Sequence, residues 1–320
     1  MTKGIFGCAL LLISLASCKK EIQELQAQKI NIPSGATIRD IAIANDGRWV
    51  ICGKDGDKGV VLVSKDGGIS WNRTFFLNEI NTVAMEDSLN GIAGDADILV
   101  YRTNDGGITW NQFVPAIYPL SVNRVLRGAC FADASKGFIC GGKNFENGVL
   151  YETFDGGQTW NFNEYNHELR SIAFSDSLNG VLGGYGVMYR TADGGNHWNL
   201  TSNSGIFFTG LTSSVDGDFW ASAFNGSILF SSDKGQTWTE KKKGSTWNVA
   251  ASALNCIGYS ASGKIAGGGP DGFITWSTDG GNSWNERITC NHNDILSLEW
   301  LNEQTSLITT KNGGLYRFGI

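Results

Sequence analysis

Short apolar runs of four to six residues, separated by polar turns, fill most of the chain, and none settles into a sustained 3.6-residue period. The stretch "LRSIAFSDSLNGVLGGYGVMYRTADGGNHWNLT", from Leu169, shows the pattern. Its apolar runs alternate with Asn-Gly and Asp-Gly pairs, the chemistry of tight hairpins. The pattern predicts an all-β chain built from hairpin-connected strands.

The frame repeats. The chain reads "SKDGGISW" from Ser64, "TNDGGITW" from Thr103, "TFDGGQTW" from Thr153, "TADGGNHW" from Thr191, "SSDKGQTW" from Ser231 and "STDGGNSW" from Ser277. The aspartates are Asp66, Asp105, Asp155, Asp193, Asp233 and Asp279, at successive spacings of 39, 50, 38, 40 and 46 residues. A period near 40 residues marks stacked four-stranded units, as in a β-propeller. A seventh unit ends the chain: "ILSLEWLNEQTSLITTKNGGLYRFGI" supplies three strands and lacks the aspartate motif. Residues 25–32 precede the first full unit and are free to supply the missing outer strand. The expectation is a seven-bladed β-propeller of four-stranded antiparallel blades over 25–320, closed by that N-terminal strand so that no sheet edge is left open. The competing reading makes 19–29 a loose or helical tether.

The motif has a structural purpose in every copy. A short carboxylate in the turn between third and fourth strands accepts backbone N–H groups, and Gly156 and Gly157 allow the positive φ that the turn of Asp155 needs. The closing tryptophans, Trp71, Trp110, Trp160, Trp198, Trp238 and Trp284, start outer strands and pack between blades.

The pattern Ser/Thr-x-Asp-x-Gly-x-Ser/Thr-Trp resembles the Asp-box, or BNR repeat, with His197 as the one clear departure at the hydroxyl position. Asp-boxes occur in sialidases, sortilin-type receptors, some glucan hydrolases and the Ycf48/Hcf136 family of photosystem II assembly factors. The frame Y-R-T-x-D-G-G-x-T-W and the short blades look most like the Ycf48-related group, over nearly the whole chain. The resemblance implies a non-enzymatic scaffold that binds a protein or peptide through an arginine patch during assembly of a membrane complex. It implies no cofactor. The fold by itself does not fix the task.

The N-terminus changes where such a scaffold would work. Lys3 precedes an apolar run over 5–15, too short for a membrane span, which closes on "LASC". This resembles a bacterial lipobox, which implies a signal peptide over 1–17, lipidation of Cys18 and a tether over 18–24; the alternative is an ordinary secretory signal cut nearby. The partner list then includes a membrane, reached through the lipid. Localisation follows as the bacterial cell envelope, with the outer membrane or cell surface favoured by "CKKE" and the periplasmic face the other setting. Loss of Lys3 leaves 24 basic against 31 acidic residues, a net charge of −7, which argues against general nucleic-acid binding.

Five cysteines remain beyond Cys8 and Cys18: Cys52, Cys130, Cys140, Cys256 and Cys290. Their irregular spacing is neither a disulfide framework nor a zinc signature, and small buried strand residues are expected. A Cys130–Cys140 bridge depends on strand register.

In a four-stranded blade lettered A to D from the axis outward, the D–A and B–C loops share one face and the Asp-boxes lie on the other. Ligands of propellers usually bind the first face. Arg39, Arg127 and Arg170 recur at the start of innermost strands, with Arg124 close by. Blade symmetry predicts a guanidinium ring at the channel mouth that suits a carboxylate or a peptide C-terminus. The alternative pairs each arginine with an acid such as Asp40 or Glu168. The B–C loops add Asp55 and Asp57, Asp95 and Asp97, and Phe145 and Glu146, without an ordered calcium loop. Arg102, Arg190 and Arg317, on third strands, are expected between blades or outward.

Catalysis finds little footing. A sialidase would carry an Arg-Ile-Pro motif, and none occurs. His167, His197 and His292 are scattered, "CNHND" is a weak metal cluster, and the glycine pairs precede strands rather than helices. The rival class is a carbohydrate-binding, sialidase-like or glycoside-hydrolase-like protein, with Phe145, Tyr185 and Phe224 as exposed rings for stacking on a glycan.

Overall fold

The computed structural model describes residues 24–25, 27–33, 35–113, 124–202, 204–245, 252–289 and 292–320. The predicted signal peptide, Cys18, most of the tether and Cys290 lie outside the described residues. The described strands form seven antiparallel blades. Blade 1 has strands Ala36–Ile43, Trp49–Asp55, Lys58–Ser64 and Asn72–Phe76, and the same A-B-C-D order recurs in each blade that follows. Innermost strands neighbour one another round the ring, and the last, Ile295–Asn302, meets the first.

The B and C strands are sandwiched between adjacent blades, so they read as continuous apolar runs rather than alternating ones. Val50, Val61, Ile80 and Val83 fill the wall between blades 1 and 2, and Phe138, Cys140, Leu169 and Leu182 the wall between blades 3 and 4. Each such side chain contributes about 1.5–3 kcal/mol. The third-strand arginines also lie between blades: Arg190 Nε donates to Lys234 O at 2.6 Å, and Arg317 stacks over Trp49 at 5.7 Å.

The ring closes as expected. Gln28–Ile30 is the outer strand of blade 7, antiparallel to Leu315–Gly319, with Ile30 opposite Leu315. The Trp71 indole of blade 1 donates to Asn31 O at 3.0 Å, which joins that strand to the next blade. One feature differs from the reading of 18–24 as a tether: Glu24–Leu25 pairs in parallel with Asn285–Thr289, as a fifth strand on blade 6. The exposed outer edge of blade 6 is open to any chain segment passing from the tether to blade 7.

Register excludes the Cys130–Cys140 bridge. Cys130 sits opposite Phe138 and Cys140 opposite Gly128, and Cys52, Cys130, Cys140 and Cys256 are all free. Burial pushes the Cys140 and Cys256 thiols up to about 12, so they behave as small apolar residues.

Candidate functional site

The two ends of the ring are chemically distinct. On one face the Asp-box turns meet the A–B loops: Gly106, Gly156 and Gly194 N–H groups donate to Leu89, Ser135 and Leu178 carbonyls. On the other face the B–C loops meet the D–A loops: Ala96, Tyr185 and Phe224 N–H groups donate to Glu79, Glu168 and Phe207 carbonyls.

All six Asp-box carboxylates are turn clasps. Asp155 Oδ1 accepts the Thr153 hydroxyl and the Gln158 and Thr159 amides, each at 2.9 Å, while Oδ2 takes the Thr159 hydroxyl at 2.6 Å. Partial burial pulls its carboxyl up, but the Thr159 and Thr153 hydrogen bonds outweigh this and hold it at about 2. In the departing copy His197 Nδ1 lies 2.7 Å from Asp193 Oδ2, so the imidazole takes the place of the hydroxyl. A clasp saturated by its own turn has no capacity left for substrate.

The opposite face carries the candidate site. Six of the seven innermost strands bulge by one residue at the same level, and the extra residues are Arg39, Asn81, Arg127, Arg170, Thr209 and Leu296. Asn255 precedes the corresponding strand of blade 6. A bulge re-aims the side chain it adds. These seven residues line one cavity of ≈ 470 Å³ at the channel mouth, together with Glu79, Phe207 and Phe224. The structure therefore brings Arg39, Arg127 and Arg170 together, as blade symmetry required.

Arg124 does not join them. Its guanidinium is buried and pairs with Glu164 of the outer strand of the same blade at 2.6 Å. Unlike the three ring arginines, it precedes its strand instead of occupying the bulge.

Each ring arginine also has an acid, though not always the expected one. Arg39 Nε donates to Glu79 Oε1 at 2.7 Å, not to Asp40. Arg127 and Arg170 share one carboxylate: their Nε atoms lie 3.2 and 2.9 Å from Glu168 Oε1. These two approaches are ion-pair contacts that miss hydrogen-bond alignment. Glu168 Oε2 accepts the Phe145 amide at 2.9 Å, which fixes the carboxylate from behind. Two guanidiniums against one buried carboxylate leave one positive charge, with side chains 31% and 28% exposed to the mouth. Burial first, then Arg127, lowers Arg170 to about 10. An incoming anion would relieve that repulsion.

Asp40, expected as a partner for arginine, has another task. Its carboxylate accepts from the Ser297 hydroxyl at 2.8 Å, the Thr82 hydroxyl at 3.0 Å and the Val83 amide at 3.1 Å. It thereby ties blades 7, 1 and 2 at the channel wall. Deeper in, Glu299 lines the channel. Enclosure by protein, and then Asp40, raise its carboxyl, although its side chain still faces the open lumen. One aspartate of each B–C loop pair is spent on structure: Asp55 pairs with Arg73 at 2.7 Å, and Asp95 accepts from Asn78, Asp97 and Leu99. Among the described residues no cluster of three His, Cys, Asp or Glu side chains suits a metal.

Beside Arg170 lies a group of rings only partly foreseen. Arg170 Cζ sits 4.9 Å from the Phe207 ring centroid. Phe207 contacts Tyr185 at 5.4 Å and Phe224 at 5.9 Å, and Phe145 contacts Tyr185 at 4.6 Å. Phe145, Tyr185 and Phe224 stood out in the sequence as B–C loop aromatics. Phe207 did not, because it precedes an ordinary innermost strand.

These features define a class: an Asp-box seven-bladed β-propeller with an arginine-lined, aromatic-flanked channel mouth. A family model described as "Photosynthesis system II assembly factor YCF48" matches residues 114–204. The Photosystem II assembly lipoprotein Ycf48 of Synechococcus sp. (strain CC9902) is 26% identical over 227 residues, 66% of this chain and 64% of that protein. The match thus spans a little under two thirds of that relative's length. The structure of YCF48 bound to D1 peptide superimposes with a TM-score of 0.69 at 19% identity, covering 93% of this chain and 99% of that one. A catalytically inactive virginiamycin B lyase from Staphylococcus aureus, with quinupristin, gives 0.69 at 13% identity, covering 93% and 100%. At these identities the structural likeness concerns the fold alone. Taken together, family model, relative and fold support a likeness to Ycf48-related BNR β-propellers.

Proposed function

We propose that this propeller is a non-enzymatic scaffold, lipid-anchored at Cys18 in a bacterial envelope, that captures a peptide segment of a membrane protein and serves the assembly of its complex. The observation that carries the reading is the Arg127–Glu168–Arg170 group at the channel mouth. It presents one unbalanced positive charge on side chains that are pre-positioned by strand bulges. A fixed guanidinium pair favours a carboxylate and loses little entropy on binding it. The relative's description as an assembly lipoprotein and the D1 peptide in the YCF48 structure support the same task and the same kind of anchor.

The test is affinity capture from native membranes with wild type and with Arg39→Gln, Arg127→Gln and Arg170→Gln combined. The wild type is expected to retain a discrete membrane partner that the triple variant, verified as folded by circular dichroism, loses. Equal recovery overturns the reading. Cys18→Ala is expected to move the protein from the membrane to the soluble fraction. A screen with fluorogenic glycosides is expected to give no turnover, and robust turnover would displace the scaffold in favour of a hydrolase.

A further inference from the structure

We infer that the four rings Phe145, Tyr185, Phe207 and Phe224 form a side-chain subsite that makes the mouth selective for peptides ending in an aromatic or large aliphatic residue; this rests on the peptide-capture reading above. The rings are contiguous, with Phe145 50%, Tyr185 42% and Phe224 43% exposed. Large apolar side chains held open beside a charged mouth are the anatomy of a recognition surface.

Glu168 builds the rings and the arginines as one unit. Its side chain takes the Phe145 amide and faces both guanidiniums, its N–H donates to Phe145 O at 3.0 Å, and its carbonyl accepts the Tyr185 amide at 2.8 Å. Phe145 is held there at a φ of 67° and Asn144 at 59°, the left-handed region that residues other than glycine rarely adopt. Strain held by a dedicated carboxylate marks a placed side chain.

Charge and spacing select the occupant. The guanidinium pair carries a single unbalanced charge and so suits one carboxylate. Arg170 is already stacked on Phe207. An anion on Arg170 therefore stands next to the rings, within reach of a side chain on the same residue. A C-terminal residue joins a carboxylate and a large apolar side chain at one Cα.

The test uses the purified full chain in detergent and short labelled peptides, identical except for a last residue of Phe, Leu or Ala, as free acids and as carboxamides. Fluorescence polarisation is expected to show the Phe-ended acid binding about tenfold tighter than the Ala-ended one, the worth of one well-buried ring. Amidation is expected to weaken all three. In the variant carrying Tyr185→Ser and Phe224→Ser the Phe-over-Ala preference, read as the ratio of the two affinities within that variant, is expected to vanish, and a preference kept in the folded variant overturns the subsite. Equal binding of all three acids to wild type, with loss in Arg170→Gln, overturns the subsite and leaves peptide capture standing. Failure of every acid to bind, or indifference of all of them to Arg170→Gln, overturns both. Preferential binding of a uronate-ended oligosaccharide through the same rings overturns the peptide as occupant. If the double variant fails to fold, the comparison on wild type decides alone.

Discussion

Trp198 donates its indole N–H to Glu152 Oε1 at 3.1 Å, across the boundary between blades 3 and 4. Asn163 donates to the other oxygen at 2.8 Å. Burial pushes the Glu152 carboxyl up to about 7, with the Trp198 and Asn163 hydrogen bonds opposing. The folded-state value lies above the unfolded one, so the protonated fold is favoured. This contribution to stability is complete below the unfolded value, is lost as pH rises through about 7, and changes no further above that. Thermal unfolding across this window should therefore show the wild type weakening relative to Glu152→Gln. The variant should gain on the order of 1 kcal/mol on the wild type between mildly acidic and mildly basic pH. A constant difference between the two would show that Glu152 does not titrate there.

Asp155→Ala removes four hydrogen bonds from one turn on the face opposite the arginines. The group is partly open to solvent, so the cost should be about 1–2 kcal/mol rather than the full sum. The melting temperature should fall, and peptide affinity of the folded protein should stay unchanged. Lost affinity with an unchanged melting temperature would make the clasp a binding residue. The clasps should also weaken at low pH. Hydrogen bonds hold Asp66 at about 2, so its contribution is complete above the unfolded value and is lost progressively as pH falls from there through about 2.

Lys234 stands in the fifth Asp-box where the other copies have glycine, and its φ is 61°. Left-handed backbone costs a residue with a Cβ about 1 kcal/mol. Lys234→Gly removes that cost and keeps the carbonyl that Arg190 donates to. It gives up an ion pair to Asp176 at 3.5 Å between well-exposed side chains, which is worth little. The expected result is a gain of about 0.5 kcal/mol after the greater freedom of unfolded glycine is counted. Chemical denaturation midpoints at constant slope would check it.

Much of this was written in the repeat. The Asp-box names its turn because every atom of the clasp comes from within that turn, so nearby sequence suffices. The arginine ring was legible for a related reason. Ile38-Arg39, Leu126-Arg127 and Leu169-Arg170 each place a buried apolar residue before the bulge, and aligned blades expose the match. Arg124 misled because nearness in sequence is not nearness in a bulged strand. Phe207 was missed because its contacts with Arg170 and Tyr185 reach into the preceding blade, and no local pattern reports them. The Arg39–Glu79 pair was missed likewise: it crosses 40 residues, from one blade to the next.

The N-terminal strand offers the strongest test of the closed ring. Ile30 packs with Trp49, Leu307 and Leu315, and Asn31 O holds the Trp71 indole. Deleting 24–33 removes those contacts and opens the edge of Leu315–Gly319 to pairing with other chains. One buried isoleucine and one indole hydrogen bond together amount to about 3–4 kcal/mol. For a chain of this size that corresponds to a fall in melting temperature of about 5 °C. Size-exclusion chromatography should show association of the truncated chain through the exposed edge. A synthetic peptide of residues 24–33, added in excess, should restore the melting temperature saturably and suppress association. Such rescue requires the strand to pair at its own site, since a peptide acting only as a general solubiliser would work equally well with its order scrambled. Unchanged stability on deletion would mean that three strands close blade 7 without help.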